Sequence, residues 1–291
     1  MPEFLARDGV RIAYDDVGQG RPLLLVHGWD AHAGFFHPQL AGLSGRFRVV
    51  APDLRGHRRS RDGADGLTVE LLARDVLDLM AHLDLSGAVA VGWSMGAMVL
   101  WRALLDGAAE RIDGMVVVDM SPRVPNGEGW GHGMARGYVD ADTPRAQAAM
   151  KADWAAYSRR VARRLVAQGM PERAALAGWA AAEFAANDPA AMAQLWASLT
   201  GQDFRAELAA VETPTLILHG RRSQLYGPGT AAFLEKVLPR ARRVAFDRSG
   251  HAPHLEEPDL FNRTIEEFAA GLSAGPNDGI ARRSDPAGAL N

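Results

Sequence analysis

Short runs of continuous apolar residues alternate along this chain with stretches of helical period. Val10 to Tyr14 reads as an early hairpin strand closed by Gly18-Gln19-Gly20. Pro22 to Val26, Phe47 to Ala51, Ala88 to Val91, Met115 to Val118, Thr215 to Leu218 and Arg243 to Phe246 read as further strands. Between them, Leu67 to Leu83 places Leu71, Leu72, Val76, Leu79, Met80 and Leu83 on one helical face, and Ala97 to Leu105 and Gly229 to Leu238 read as helices. Strands that are apolar without alternation are covered on both faces, which predicts an α/β fold with a mostly parallel central sheet and helices on either side.

Residues 121–200 break this rhythm. Pro122 to Gly137 is rich in Gly and Pro and reads as loop; after it come Ala-rich helical stretches around Arg145 to Gln168, Pro171 to Ala186 and Pro189 to Leu199, with no strand among them. An insertion between strands of a parallel sheet sits above their carboxyl ends, where ligands bind. The expected organisation is a core of residues 1–120 and 201–272, a helical cap of residues 121–200, and a disordered tail of residues 273–291, which lacks periodicity.

The most informative local pattern is Gly92-Trp93-Ser94-Met95-Gly96, between a strand and a helix. A turn that sharp requires near-absent side chains two residues either side of its apex, and it lifts the Ser94 hydroxyl clear of the sheet. It also leaves the Met95 N–H at a helix start, where a developing oxyanion is stabilised. A serine needs a base. Of nine histidines, His251 in Ser249-Gly250-His251-Ala252-Pro253-His254 is the best candidate, because that loop follows the last strand and faces the same rim. His254 packs nearby or lines the site. His27-Gly28-Trp29-Asp30 follows the strand ending at Val26, so the Trp29 N–H is the candidate second oxyanion donor, with His27 holding the loop.

Composition narrows the alternatives. The 291 residues are 47% hydrophobic and 23% charged, enough for one large α/β domain with an insertion. A net charge of -3 offers no global positive field for nucleic acid or anionic lipid. With no cysteine, disulfides and thiolate chemistry are excluded. No His/Asp/Glu set has metal spacing, and Gly18-x-Gly20 lacks the third glycine and helix of a dinucleotide site, so neither metal nor cofactor is expected. The amino-terminal residues do not form a secretion signal and no run is long enough for a membrane span; a soluble cytoplasmic protein is the expectation.

Strand-His27-Gly28-Trp29, Asp53-Leu54-Arg55-Gly56-His57, Gly92-Trp93-Ser94-Met95-Gly96 and Gly250-His251-Ala252-Pro253 together resemble the α/β-hydrolase superfamily over residues 10–271. The first, third and fourth motifs are similar to those of pimeloyl-acyl-carrier-protein methyl ester esterases. That resemblance implies a serine carboxylesterase that cuts a small ester from a long acyl chain, free or carrier-linked. One departure is Ala97, where many members carry Gly. A larger one concerns the acid, which the family places three residues past the glycine of His219-Gly220; here that position is Ser223, and Arg221 to Tyr226 contains no carboxylate. Asp119, at the end of the strand after the Ser94 helix, resembles the relocated acid of haloalkane dehalogenases and of cofactor-independent quinolone dioxygenases. The alternative is that Asp119 caps the turn at Ser121-Pro122.

These residues imply an acyl-enzyme route: His251 takes the Ser94 proton, Ser94 attacks an ester carbonyl, and the Trp29 and Met95 amides hold the oxyanion. Trp29, Trp93, Trp130, Trp154, Trp179 and His254 are the candidate substrate contacts, since an Ala-rich cap has little other apolar bulk; Met134, Met150, Met192 and Trp196 are further bulky cap residues. Arg159, Arg160, Arg163 and Arg164 occupy neighbouring turns of one helix, as a solvated face or, alternatively, as a dock for an acidic carrier or a substrate carboxylate. Two further functions fit the same residues. One is a cofactor-free dioxygenase in which a His251-Asp119 dyad deprotonates an aromatic heterocycle. The other is a non-hydrolytic ligand-binding protein.

Overall fold

A computed structural model describes residues 2–273 of the chain; beyond its first residue, the expected tail lies outside them. Eight strands form one sheet: β1 (Glu3–Leu5), β2 (Arg11–Val17), β3 (Arg21–Val26), β4 (Phe47–Pro52), β5 (Ala88–Trp93), β6 (Ile112–Val118), β7 (Thr215–Gly220) and β8 (Ala241–Phe246). Their spatial order is β1-β2-β4-β3-β5-β6-β7-β8. β1 and β2 pair antiparallel, as do β2 and β4; every later neighbour is parallel.

The helices are α1 (His37–Leu43), α2 (Val69–His82), α3 (Met95–Leu105), α4 (Asp142–Ala152), α5 (Trp154–Leu165), α6 (Ala174–Ala185), α7 (Pro189–Gly201), α8 (Pro228–Val237), α9 (Pro253–Glu256) and α10 (Pro258–Ser273). Helices α4 to α7 fall between β6 and β7 in the chain.

Alternation along the central strands divides the core in two. Leu24, Val26, Ala88, Ala90, Met115 and Val117 face a cluster with α2 and α3, whereas Leu23, Leu25, Val89, Val91, Val116 and Val118 face one with Phe36, Leu43 and Phe261. All twelve strand residues are fully buried, so truncating one such leucine to alanine removes about 2–5 kcal/mol of stability. This two-sided burial is the reason the strands read as unbroken apolar runs.

Two elements differ from the expectation. β1 is a three-residue edge strand in which Phe4 alone is buried, too short for a period to show. The helical stretch expected around Arg145 to Gln168 is two helices. Asp153 leaves helical geometry at φ -153°, ψ 88°, ends α4, and accepts the Ala156 N–H at 2.8 Å as the N-cap of α5.

Candidate active site

The turn between β5 and α3 is as tight as its glycines imply. Ser94 sits at φ 54°, ψ -125°, a backbone geometry that costs energy for a residue with a side chain. A Cβ on Gly92 would lie 2.6 Å from the Ala97 nitrogen, and one on Gly96 would lie 2.1 Å from the Val26 carbonyl oxygen. The Ser94 N–H donates to Val118 O at 2.9 Å, tying the turn to the end of β6. The side chain makes no capping bond to α3. The hydroxyl faces Met120 Sδ at 4.0 Å and, among the described residues, has no hydrogen bond to His251.

Strands β5, β6, β7 and β8 are consecutive in the sheet, so their carboxyl ends bring Ser94, Asp119, Ser223 and His251 to one rim. Asp119 stands at φ 46°, its N–H donating to Leu218 O at 2.8 Å. His251 Nδ1 donates to Asp119 Oδ2 at 2.7 Å, with both side chains buried. Ser223 Oγ donates to the same oxygen at 2.7 Å. The imidazole is steadied from several sides. Trp93 Nε1 donates to the His251 carbonyl at 2.9 Å, the His251 N–H donates to Leu165 O at 2.9 Å, and the Trp93 and Tyr226 rings lie 5.7 and 5.9 Å away. Burial, reinforced by the Asp119 charge, raises the Tyr226 phenol far above its ordinary range and keeps it neutral.

The loop after β3 is held by neutral groups. His27 donates through Nδ1 to Gly28 O at 2.8 Å and accepts the Leu54 N–H at Nε2, 2.9 Å. His57 donates through Nδ1 to Arg55 O at 3.0 Å and accepts the Asp30 N–H at Nε2, 3.3 Å. Burial pushes His27 well below the usual imidazole range and His57 down to about 4. Asn187 Nδ2 donates both to Asp30 O at 2.8 Å and to Asp30 Oδ1 at 2.9 Å, while burial pushes the Asp30 carboxyl well above its ordinary range. Sequence reasoning assigned loop-holding to His27 but missed Asp30 and Asn187; an isolated Asn between two helices carries no signal of a partner so distant in sequence. Among the described residues, neither Trp29 N–H nor Met95 N–H makes a backbone hydrogen bond.

Trp29 Nε1 donates to Met192 O at 2.9 Å, and its ring meets Trp154 at 6.1 Å, Tyr157 at 6.3 Å and Trp196 at 5.1 Å. Trp196 Nε1 donates to Tyr138 Oη at 2.9 Å. Tyr157 and Tyr138 were missed; the pairing of Trp154 with Tyr157, one helical turn apart, is the signal that could have found the first. The other candidates stand elsewhere. Trp130 packs against Phe233 of α8 and bonds Arg123 O through Nε1 at 3.1 Å. Trp179 packs on Phe35 and His37. Trp93 is buried beneath His251, and His254 lies fully buried beyond the Trp93 ring against Phe36 and Phe261. Burial holds His254 well below the usual imidazole range. On the arginine-rich helix α5, Arg159, Arg160 and Arg163 are exposed, with Arg160 4.5 Å over the Tyr157 ring, while Arg164 is half-buried.

This sheet, with its serine elbow after β5, defines an α/β hydrolase, and residues 21–258 match the α/β hydrolase fold family, to which the chain belongs. The chain is 33% identical over 259 residues to a pimeloyl-acyl-carrier-protein methyl ester esterase of Nitrosomonas europaea, covering 86% of this chain and 96% of that relative. It is 30% identical over 280 residues to a non-heme haloperoxidase of Rhodococcus erythropolis, covering 92% and 99%. Among solved structures, an esterase from Exiguobacterium antarcticum superposes with a TM-score of 0.86 at 23% identity, covering 92% of this chain and 98% of that one. No described helix is long and apolar enough to cross a membrane.

Proposed function

We propose that the protein is a serine carboxylesterase acting on a small ester of an apolar acyl or aromatic acid. Ser94 is the nucleophile, His251 the general base and acid, Asp119 the carboxylate that orients the imidazole, and the Trp29 and Met95 N–H groups the oxyanion donors. The observation that carries this reading is the 2.7 Å bond from His251 Nδ1 to Asp119, which leaves Nε2 as the nitrogen free to take the serine proton. In the first half-reaction the Ser94 proton passes to Nε2, Oγ adds to the ester carbonyl, and the alcohol leaves with the proton from His251. Water then adds to the acyl-enzyme with its proton going to His251, and Ser94 leaves with that proton restored. Because Ser94 Oγ faces Met120, it rotates about its Cα–Cβ bond when substrate binds; catalytic hydrogen bonds tighten in this way on moving from the free enzyme to the complex.

The aromatic group around Trp29 supports an apolar or flat acyl portion. Relatives named pimeloyl-acyl-carrier-protein methyl ester esterase support a methyl ester as the first substrate to try, free or carrier-linked. The test is turnover of p-nitrophenyl esters of rising chain length and of methyl esters, with Ser94→Ala losing several orders of magnitude.

A second reading draws on one specific observation: the His251-Asp119 pair is formed while Ser94 makes no bond to it. A cofactor-free dioxygenase needs that dyad and not the nucleophile. Such an enzyme would consume oxygen with an aromatic heterocycle and keep much of its rate in Ser94→Ala.

A further inference from the structure

The Glu256 side chain is fully buried, five residues after His251, yet the proposed chemistry does not use it. Its Oε1 accepts the N–H of Gly250, the residue before His251, at 2.7 Å. Its Oε2 accepts the N–H of Ala167, just after α5, also at 2.7 Å. Arg173 donates through Nη2 to the Glu256 carbonyl at 2.6 Å, and its Nε lies 3.7 Å from Oε2. The carboxylate thus bridges two backbones that already touch. A Cβ on Gly250 would lie 2.5 Å from the Val166 carbonyl carbon, and the next N–H, that of His251, donates to Leu165 O.

A buried carboxylate is costly unless its oxygens are satisfied, and an apolar residue would fill the same space without that cost. Two amides approaching from different chain segments, one to each oxygen, require two acceptors at once. A glutamine offers one acceptor and turns its NH2 against the other amide. The same strip of chain is also bonded to the Ser223 loop: Gln224 Nε2 donates to Arg163 O at 2.9 Å and to Val166 O at 3.0 Å.

We infer that Glu256 is a positioning residue, fixing the backbone of the His251 loop against the segment after α5 and so setting where the imidazole stands above Ser94. Its consequence for rate rests on the esterase reading; the clamp itself does not. Of the charged groups around it, Arg173 faces the carboxylate. Glu257 is occupied by Ser249 Oγ and the Arg248 N–H, at 2.6 and 3.1 Å. Burial raises Glu256 to about 7, against the pull of Arg173 and its amide donors. A proton on either oxygen ends acceptance from one of the two amides, so the clamp loosens as pH falls through that value.

The test is a pH titration of the full-length protein by amide NMR, paired with kinetics of Glu256→Gln. In the wild type, the Gly250 and Ala167 amide protons should shift together with one midpoint near 7, and Glu256→Gln should abolish that shared step. The variant should lose roughly ten- to a hundredfold in kcat with KM little changed, as for a base displaced by a fraction of an ångström. It should also lose one ionisation from the acid limb of its kcat/KM profile. Wild-type amides that do not titrate together would overturn the inference, whether or not the variant folds. A folded variant with wild-type kcat and acid limb would overturn it equally. Wild-type protein inactive on every ester would instead remove the esterase reading, leaving the amide titration to judge the clamp.

Discussion

Ser223 and His251 donate hydrogen bonds to the same oxygen of Asp119, each at 2.7 Å. Ser223 occupies the position where the motif resemblance expects the acid; in the proposed triad the carboxylate stands instead at the end of β6, one strand along the sheet, and the β7 position contributes a hydroxyl. In the proposed triad this hydroxyl stabilises the ionised acid and fixes its rotamer.

An acid moved between adjacent strand ends should be movable back. Asp119→Asn is expected to lower kcat by about ten-thousandfold, the scale on which a triad amide misorients its histidine. Adding Ser223→Asp to that variant should recover at least tenfold, because a carboxylate then stands again beside the Nδ1 of His251. Steady-state kinetics on one ester checks both; a double variant no better than Asp119→Asn would mean that the β7 position cannot reach the imidazole.

Trp29 has two separable parts. Its N–H belongs to the backbone and survives side-chain substitution, whereas its ring meets Trp154, Tyr157 and Trp196 and bonds Met192 O. Trp29→Ala should therefore raise KM for apolar esters more than it lowers kcat. Each lost ring contact contributes about 0.5–1.5 kcal/mol. An equal fall in kcat and kcat/KM would mean instead that the loop and its oxyanion donor had shifted.

Much of this was legible in the chain, and physical causes divide what was from what was not. Strands β3 to β7 are covered on both faces, so their apolar runs announce them. Gly92 and Gly96 are dictated by backbone contacts near 2 to 3 Å, and such demands leave a fixed spacing around Ser94. The missing carboxylate around Ser223 draws attention to Asp119, but the distance to His251 depends on how β6 and β8 are brought together. Size alone singles out Trp130 and Trp179; the partners their rings meet, Phe233 and Phe35, are far off in sequence. The bonds from Asn187 to Asp30 are invisible for the same reason.

Stability should fall with acid well before ordinary carboxylates titrate. His57 is pushed from 6.5 down to about 4, and His27 and His254 lie well below 6.5, each chiefly by burial. Folding therefore favours their neutral forms. That stability is fully present above pH 6.5 and is lost as pH falls toward the folded-state values. Glu256 acts with the opposite sign, since its raised value stabilises the fold below 4.5 and that gain fades as pH rises to about 7. Burial also lowers His32 and His219 and raises Asp30 and Asp75, so five histidines stand against three carboxyls and the thermal midpoint should drop modestly between pH 7 and pH 5. Calorimetry across that range checks the sign; a midpoint that rises on acidification would contradict it.

In the proposed mechanism Ser94 is an activated nucleophile. Intact-mass spectrometry after treatment with a fluorophosphonate tests it most directly. A single adduct is expected that maps to Ser94, is absent in Ser94→Ala, and forms far more slowly in His251→Ala. A folded wild-type protein that takes up no label at Ser94 would contradict it.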